Sequence, residues 1–232
     1  MEFARGATMR DHAFGWSQLV HAADGVARVE TDDATWVLPP GLALWVPGGV
    51  RHTLRCSTRL SLRTLYFPGP AGPERCRVVA VSPLLRAAIV RLVELQAAGA
   101  DRARVEHLAA VVVDELAVAE VEPLSLPLPS TPAARRVADR ILAESAARAS
   151  LDELCGGAGA SRRTVERLFA VEVGAPLGHW RRIARLHAAV VALASGAPVA
   201  AAAEVAGFSS PSAFVVAFKR AFGRTPGAYV TG

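Results

Sequence analysis

No apolar run in this chain approaches the ~18 residues that a membrane-crossing helix needs, which argues against a membrane partner. The opening Met1-Glu2-Phe3-Ala4-Arg5-Gly6 lacks the apolar core of a secretory signal. Cysteine is scarce: Cys56, Cys76 and Cys155 are odd in number and show no C-x-x-C spacing. Together these absences predict a cytoplasmic chain with reduced thiols and no structural zinc. The signatures of catalysis are missing as well: there is no G-x-S-x-G, no Gly-rich phosphate loop and no H-E-x-x-H. The Asp152-Glu153 pair falls at a helix start, where its simplest role is as cap and dipole partner. No catalytic residue, metal or cofactor is expected. Lysine is almost absent, since arginine supplies 25 of the 26 basic residues. A GC-rich genome explains that bias more simply than any function.

What is present is 52% hydrophobic and 20% charged, enough to build a packed core. The net charge of +5 is uneven. Residues 1–125 hold 13 arginines against 14 acidic residues, while residues 126–232 hold 13 basic against 7 acidic residues. The surplus positive charge therefore sits in the second half, and a polyanion is the partner it fits.

That half contains two helix-turn-helix patterns joined by one long helix. Ser150-Leu151-Asp152-Glu153 is an S-x-x-E capping box before a short helix that ends at Gly156-Gly157. A turn at Gly159-Ala160 leads to Ser161 and a helix through Phe169. Val165, Leu168 and Phe169 form its inward stripe, with Arg163, Glu166 and Arg167 opposite. The pattern recurs as a short helix over 199–205, a turn at Gly207-Phe208, and a Ser210-capped helix to Phe222. Phe214, Phe218 and Phe222 recur there every fourth residue. A helix over 176–193 separates the patterns, with Trp180, Ile183, Leu186, Val190 and Leu193 predicted as its buried side. A pair of short helices with a Gly turn is the geometry that sets a second helix in the DNA major groove.

Gly207-Phe208-Ser209-Ser210, followed by Phe218-Lys219-Arg220-Ala221-Phe222-Gly223-Arg224-Thr225-Pro226-Gly227-Ala228-Tyr229, resembles the closing signature of the AraC/XylS family. The likeness extends back to about Ala134. It implies a transcription regulator that binds double-stranded DNA, with RNA polymerase a further candidate partner. Arg162, Arg163, Glu166 and Arg167 stand at the positions of the first reader. Pro211, Ser212, Val215 and Val216 stand at those of the second, with Lys219, Arg220 and the Ser210 cap near phosphates. Valine cannot make a bidentate bond to guanine, so the second module is expected to position more than it specifies.

Short strands with Gly and Pro turns are predicted over 18–21, 26–31, 35–38, 42–46, 51–56 and 60–67, as in a small antiparallel barrel. His12 to Leu19, Pro39-Pro40-Gly41 and Trp45-Val46-Pro47-Gly48-Gly49-Val50-Arg51-His52 resemble the cupin-like sensor domain of AraC-type regulators. Metal-binding cupins offer a close His pair, a carboxylate and a later His. His12 and His52 match the ends of that set, but Phe14 and Gln18 replace its middle, a poor donor set for a divalent ion. The resemblance then implies that His12, Phe14, Gln18, Trp45 and His52 line a pocket for a small-molecule effector. A buried structural role for the same residues is the alternative.

Two amphipathic helices are predicted over 82–118, and the resemblance implies that they mediate a homodimer. Pro123, Pro127, Pro129 and Pro132 mark a stiff, extended linker. The chain thus divides into a β-rich cupin-like domain with helices over 1–122, a linker over 123–132, and an all-α domain over 133–232, and residues 130–232 alone are expected to bind DNA. The competing functions are a cupin-type metal-dependent enzyme with an accessory helical domain, and an architectural DNA binder without an effector. The missing ligands disfavour the first, and the cupin-like half disfavours the second.

Overall fold

The computed structural model describes residues 1–12, 15–69, 72–99, 101–119, 121–122, 125–143 and 149–231. Nine strands come first: β1 (Glu2–Phe3), β2 (Thr8–His12), β3 (Ser17–Asp24), β4 (Ala27–Glu30), β5 (Ala34–Leu38), β6 (Leu42–Val46), β7 (His52–Cys56), β8 (Leu60–Phe67) and β9 (Arg77–Ala80). Helices α1 (Pro83–Ala97) and α2 (Arg102–Val118) follow, then β10 (Val121–Glu122) and β11 (Ser125–Pro127). Seven helices complete the described chain: α3 (Pro132–Ala143), α4 (Leu151–Cys155), α5 (Arg162–Glu172), α6 (Leu177–Ala194), α7 (Val199–Val205), α8 (Pro211–Phe222) and α9 (Pro226–Thr231). A β-rich N-terminal part and a helical C-terminal part were the sequence expectation, and both are observed. Among the described residues no helix is long and apolar enough to cross a membrane.

The chain forms two units, Met1–Thr31 with Leu38–Pro123, and Asp32–Val37 with Leu124–Thr231. In the first unit an antiparallel sheet runs in the order β1-β8-β3-β6-β9-β10, and β4 and β2 both pair with β7. The tight turn between β3 and β4 needs Gly25, whose φ is 77° and whose added Cβ would lie 1.9 Å from the Arg59 carbonyl oxygen.

One face of the larger sheet carries α1 and α2. Leu19, Trp45, Leu65 and Val79 of the strands pack there against Leu85, Ile89, Leu92, Val112 and Leu116 of the helices. Ser82 starts α1 by accepting the Leu85 amide at 3.0 Å, and its hydroxyl donates to Glu115 at 2.7 Å, which ties α1 to α2. The apolar stripe of the two helices therefore serves the core. His21 is buried on this face too, with Nδ1 2.9 Å from the Leu42 carbonyl oxygen. Burial first, then Arg86 and Arg63, hold its pKa below 6.5 against the opposing pull of that carbonyl.

The second unit includes residues that the sequence had assigned to a linker. Ser125, Leu126 and Pro127 pair antiparallel with Trp36, Thr35 and Ala34. Strand β11 lies at a sheet edge, where Pro127 removes no needed donor. Leu126 and Leu128 enter the same core as Val137, Ile141, Leu154, Val165, Phe169 and Trp180. A fragment starting at 130 would leave Leu126 and Leu128 behind. The second module has its own core stack of Phe214, Phe218 and Phe222, with successive ring centroids 5.4 and 4.7 Å apart and edge-on.

Glu172, at the last turn of α5, holds the start of α3. Its carboxylate accepts the Ser130 and Thr131 amides at 2.7 and 2.9 Å and both hydroxyls as well. Those bonds, Thr131's foremost, pull its pKa from the ordinary 4.5 to about 2. The site is open to solvent, so the effect is expected to be that of a lost cap, about 1 kcal/mol for Glu172→Gln at neutral pH. A depressed carboxyl stabilises only while it is ionised. Denaturant melts of the two proteins should therefore differ above pH 4.5 and converge as pH falls from there toward 2.

Candidate nucleic-acid interface

Each helix-turn-helix module is fixed by local chemistry that leaves one face of its second helix outward. In the first module the capping box forms as the sequence expects: Ser150 Oγ accepts the Glu153 amide at 3.2 Å, and the Ser150 amide donates to Glu153 at 2.6 Å. Ser161 starts α5 by accepting the Thr164 amide at 3.2 Å, and Ser210 starts α8 by accepting the Ala213 amide at 3.2 Å.

The two turns share a construction that the sequence did not reveal. Arg136, from α3, donates to the Ala158 carbonyl through Nε at 3.2 Å and Nη2 at 2.6 Å. An added Cβ at Gly159 would lie 2.9 Å from that guanidinium. Arg185, from α6, stands equally close to Gly207 of the second turn, again at 2.9 Å. In both modules the helix before the pair lays a guanidinium over the turn glycine. Both glycines have a left-handed φ, 78° and 75°.

Within α5 the buried stripe is Val165 and Phe169, with Leu168 half-buried against the same core. Of the predicted first-reader residues, Arg162 is held by carboxylates: Nε donates to Glu166 at 2.8 Å and Nη1 to Asp152 at 3.0 Å. Glu166 is thereby engaged as well. Arg163 and Arg167 are exposed and have no side-chain partner among the described residues. They are the guanidiniums of this helix able to meet a base edge.

In α8 the exposed residues include Pro211, Ser212, Lys219 and Arg220, while Val215 is half-buried. Val216 is 70% exposed, an apolar side chain on the outer face of α8. Ser210 is occupied as the cap.

Sequence reading missed a third basic group. Arg181, Arg182 and Arg185 of α6 line a cleft of about 360 Å³ together with Leu151 and the 206–209 turn. The signal was the R-R-x-x-R spacing, which places all three on one side of a helix.

The predicted effector residues are not all brought together. Trp45 lies on the helix-covered face of its sheet, fully buried, its indole donating to the Pro73 carbonyl at 2.8 Å and its ring 5.3 Å from Phe67. Leu19 shares that face, so alternation along β3 turns Gln18 to the opposite side. Gln18 is buried between Val46 and Tyr66 of the neighbouring strands. Trp45 therefore does not wall a pocket shared with Gln18. His52 is buried on β7, in register with His12 of β2, with Nδ1 3.1 Å from the Val50 carbonyl oxygen. The His12 side chain and all of Phe14 lie outside the described residues.

Residues 3–112 match the family described as AraC-like ligand binding domain, and residues 154–232 match a helix-turn-helix domain. The HTH-type transcriptional regulator NimR of Escherichia coli K12 is 29% identical over 221 residues, 94% of this chain and 81% of that protein. The HTH-type transcriptional regulator RipA of Corynebacterium glutamicum is 34% identical over 106 residues, 46% of this chain and 32% of that protein. An AraC-type regulator from Chromobacterium violaceum, of known structure, is 25% identical over 43% of this chain and 90% of its own, with a TM-score of 0.42.

Replacing Arg167 by alanine should weaken binding to a selected operator by ~1–3 kcal/mol and relax preference at one or two base pairs. Fluorescence anisotropy on operator and random duplexes checks this. Equal loss on both would reduce Arg167 to a phosphate contact. Selection from a random duplex pool should return strong G·C preference in the first module's half-site alone.

Proposed function

The chain belongs to the AraC-type, ligand-responsive transcription regulators, with an AraC-like ligand-binding domain ahead of a helix-turn-helix domain, and on that premise we propose that α5 and α8 read duplex DNA while a small organic effector in the β-rich unit sets the affinity. The observation that carries the reading is the duplicated module with capped reader helices whose outer faces keep Arg163, Arg167, Lys219 and Arg220 exposed. These helices enter successive major grooves about 34 Å apart, one turn of DNA. Arg163 and Arg167 read bases. Ser212 and Val216 fit a thymine-containing step, and Lys219 and Arg220 contact phosphates. RNA polymerase at the same promoter is the further partner such control requires, and the cytoplasm is where DNA and polymerase would meet the chain.

For the effector, Gln18 and His52 are two of the polar residues buried on the strands, and they suit the orientation of one small molecule. Calorimetry with candidate organic effectors, run with elemental analysis of the purified chain, tests this. One-site binding that changes operator affinity is expected, with no stoichiometric transition metal. A metal lost on mutating His12 or His52 would sink the reading and restore the metal-dependent cupin.

The helices over 82–118 remain the proposed dimer element, by a face other than the apolar stripe that packs on the sheet. Leu92 and Val112 are core residues, whereas Val111 and Val118 of α2 are 38% and 80% exposed. The substitutions Val111→Glu and Val118→Glu together should halve the mass by light scattering and leave the circular dichroism unchanged. A mass equal to that of the unaltered protein would place any interface elsewhere.

A further inference from the structure

The connecting helix α6 does more than separate the modules. Its first half exposes a cleft of about 360 Å³, with Leu151 at the start of the first module on one side and the Gly207-Phe208 turn of the second on the other. Three guanidiniums form the floor, and each is fixed differently.

Arg181 is partly sunk and donates to the Ala149 carbonyl, beside the start of α4. Burial first, and then the like charge of Arg185, push its pKa below the usual arginine value. Arg185 lies over Gly207, where a Cβ would be 2.9 Å away. Arg182 is the exposed member. It stacks over Phe208 at 5.9 Å from the ring centroid and has no carboxylate partner among the described residues. The same guanidinium borders a neighbouring depression of about 440 Å³ lined by Ser212, Val216 and Arg220 on the outer side of α8. Arg182 thus sits where the second reader begins, on a helix that is not a reader.

We propose that this cleft receives the phosphodiester backbone running between the two reader sites, with Arg182 as its direct phosphate contact. The inference rests on the DNA-binding reading above. Two helices set in successive major grooves leave the intervening minor groove and its bordering backbones facing the protein between them, and the element that joins the modules lies between the two readers. A planar guanidinium pre-oriented by an aromatic ring suits a phosphate. Arg181 and Arg185, anchored by their own contacts, supply field rather than reach. The clamp also supplies the positive charge beside α8 that Val216 does not.

The test uses the full chain, unaltered and as Arg182→Gln, Arg182→Lys and Arg167→Ala, titrated against a selected operator and a random duplex over a range of salt. Arg182→Gln should weaken both duplexes by the same factor, about tenfold. It should also flatten the slope of log Kobs against log salt by about 0.9. Arg182→Lys should keep the slope, because the charge remains. Arg167→Ala should weaken the operator more than the random duplex. An Arg182→Gln protein with unchanged affinity and slope would overturn the clamp, as would one with an altered base preference. Failure of the unaltered chain to bind either duplex would remove the DNA reading itself, a distinct result.

Discussion

Trp180 is the contact on which the DNA-binding unit depends. It is 1% exposed, packs edge-on against Phe169 at 5.3 Å, and donates its indole N–H to the Pro127 carbonyl at 2.6 Å. One side chain thereby joins helix α5, the connecting helix α6 and strand β11. A buried indole needs an acceptor, and only a backbone held in extended form presents one at that place. Without Trp180, Phe169 would lose its wall and α5 its fixed tilt. Truncation at such a site costs ~3–5 kcal/mol.

From that anchor the two modules are built alike and finished differently. Both use a serine cap for the second helix and a guanidinium laid over a left-handed turn glycine. The first module then binds its Arg162 to Asp152 and Glu166, which leaves Arg163 and Arg167 outward. The second module puts a valine outward instead and is bordered by an arginine from α6. On the proposed reading, affinity and base preference are thereby separated in space: charge along α6 and the end of α8, base edges at α5.

In the β-rich unit, alternation along the strands does the sorting. The face of the six-stranded sheet that carries Leu19 and Trp45 is spent on α1 and α2, so it contributes core. Gln18 belongs to the other face and His52 to a different strand set, and both are buried. The helices use their inward stripes on the sheet and keep Val111 and Val118 outside.

Local signals determined much of this protein from sequence alone. Capping serines, left-handed glycines and the fourfold phenylalanine spacing act within a few residues, so the helices of both modules and their outward faces were legible. Most strands in the first seventy residues were legible too, because turns punctuate them. Contacts between distant residues were decided only by the tertiary structure. A proline-rich stretch is extended whether it is a linker or a strand, and only pairing with Ala34–Trp36 made 125–127 part of a core. A strand's two faces look alike until helices cover one, which is why Trp45 was grouped with Gln18. An arginine's partners are likewise nonlocal. The sequence could not say that Arg162 would be held by two carboxylates while Arg182, on a helix read as a spacer, would stand open beside the second reader.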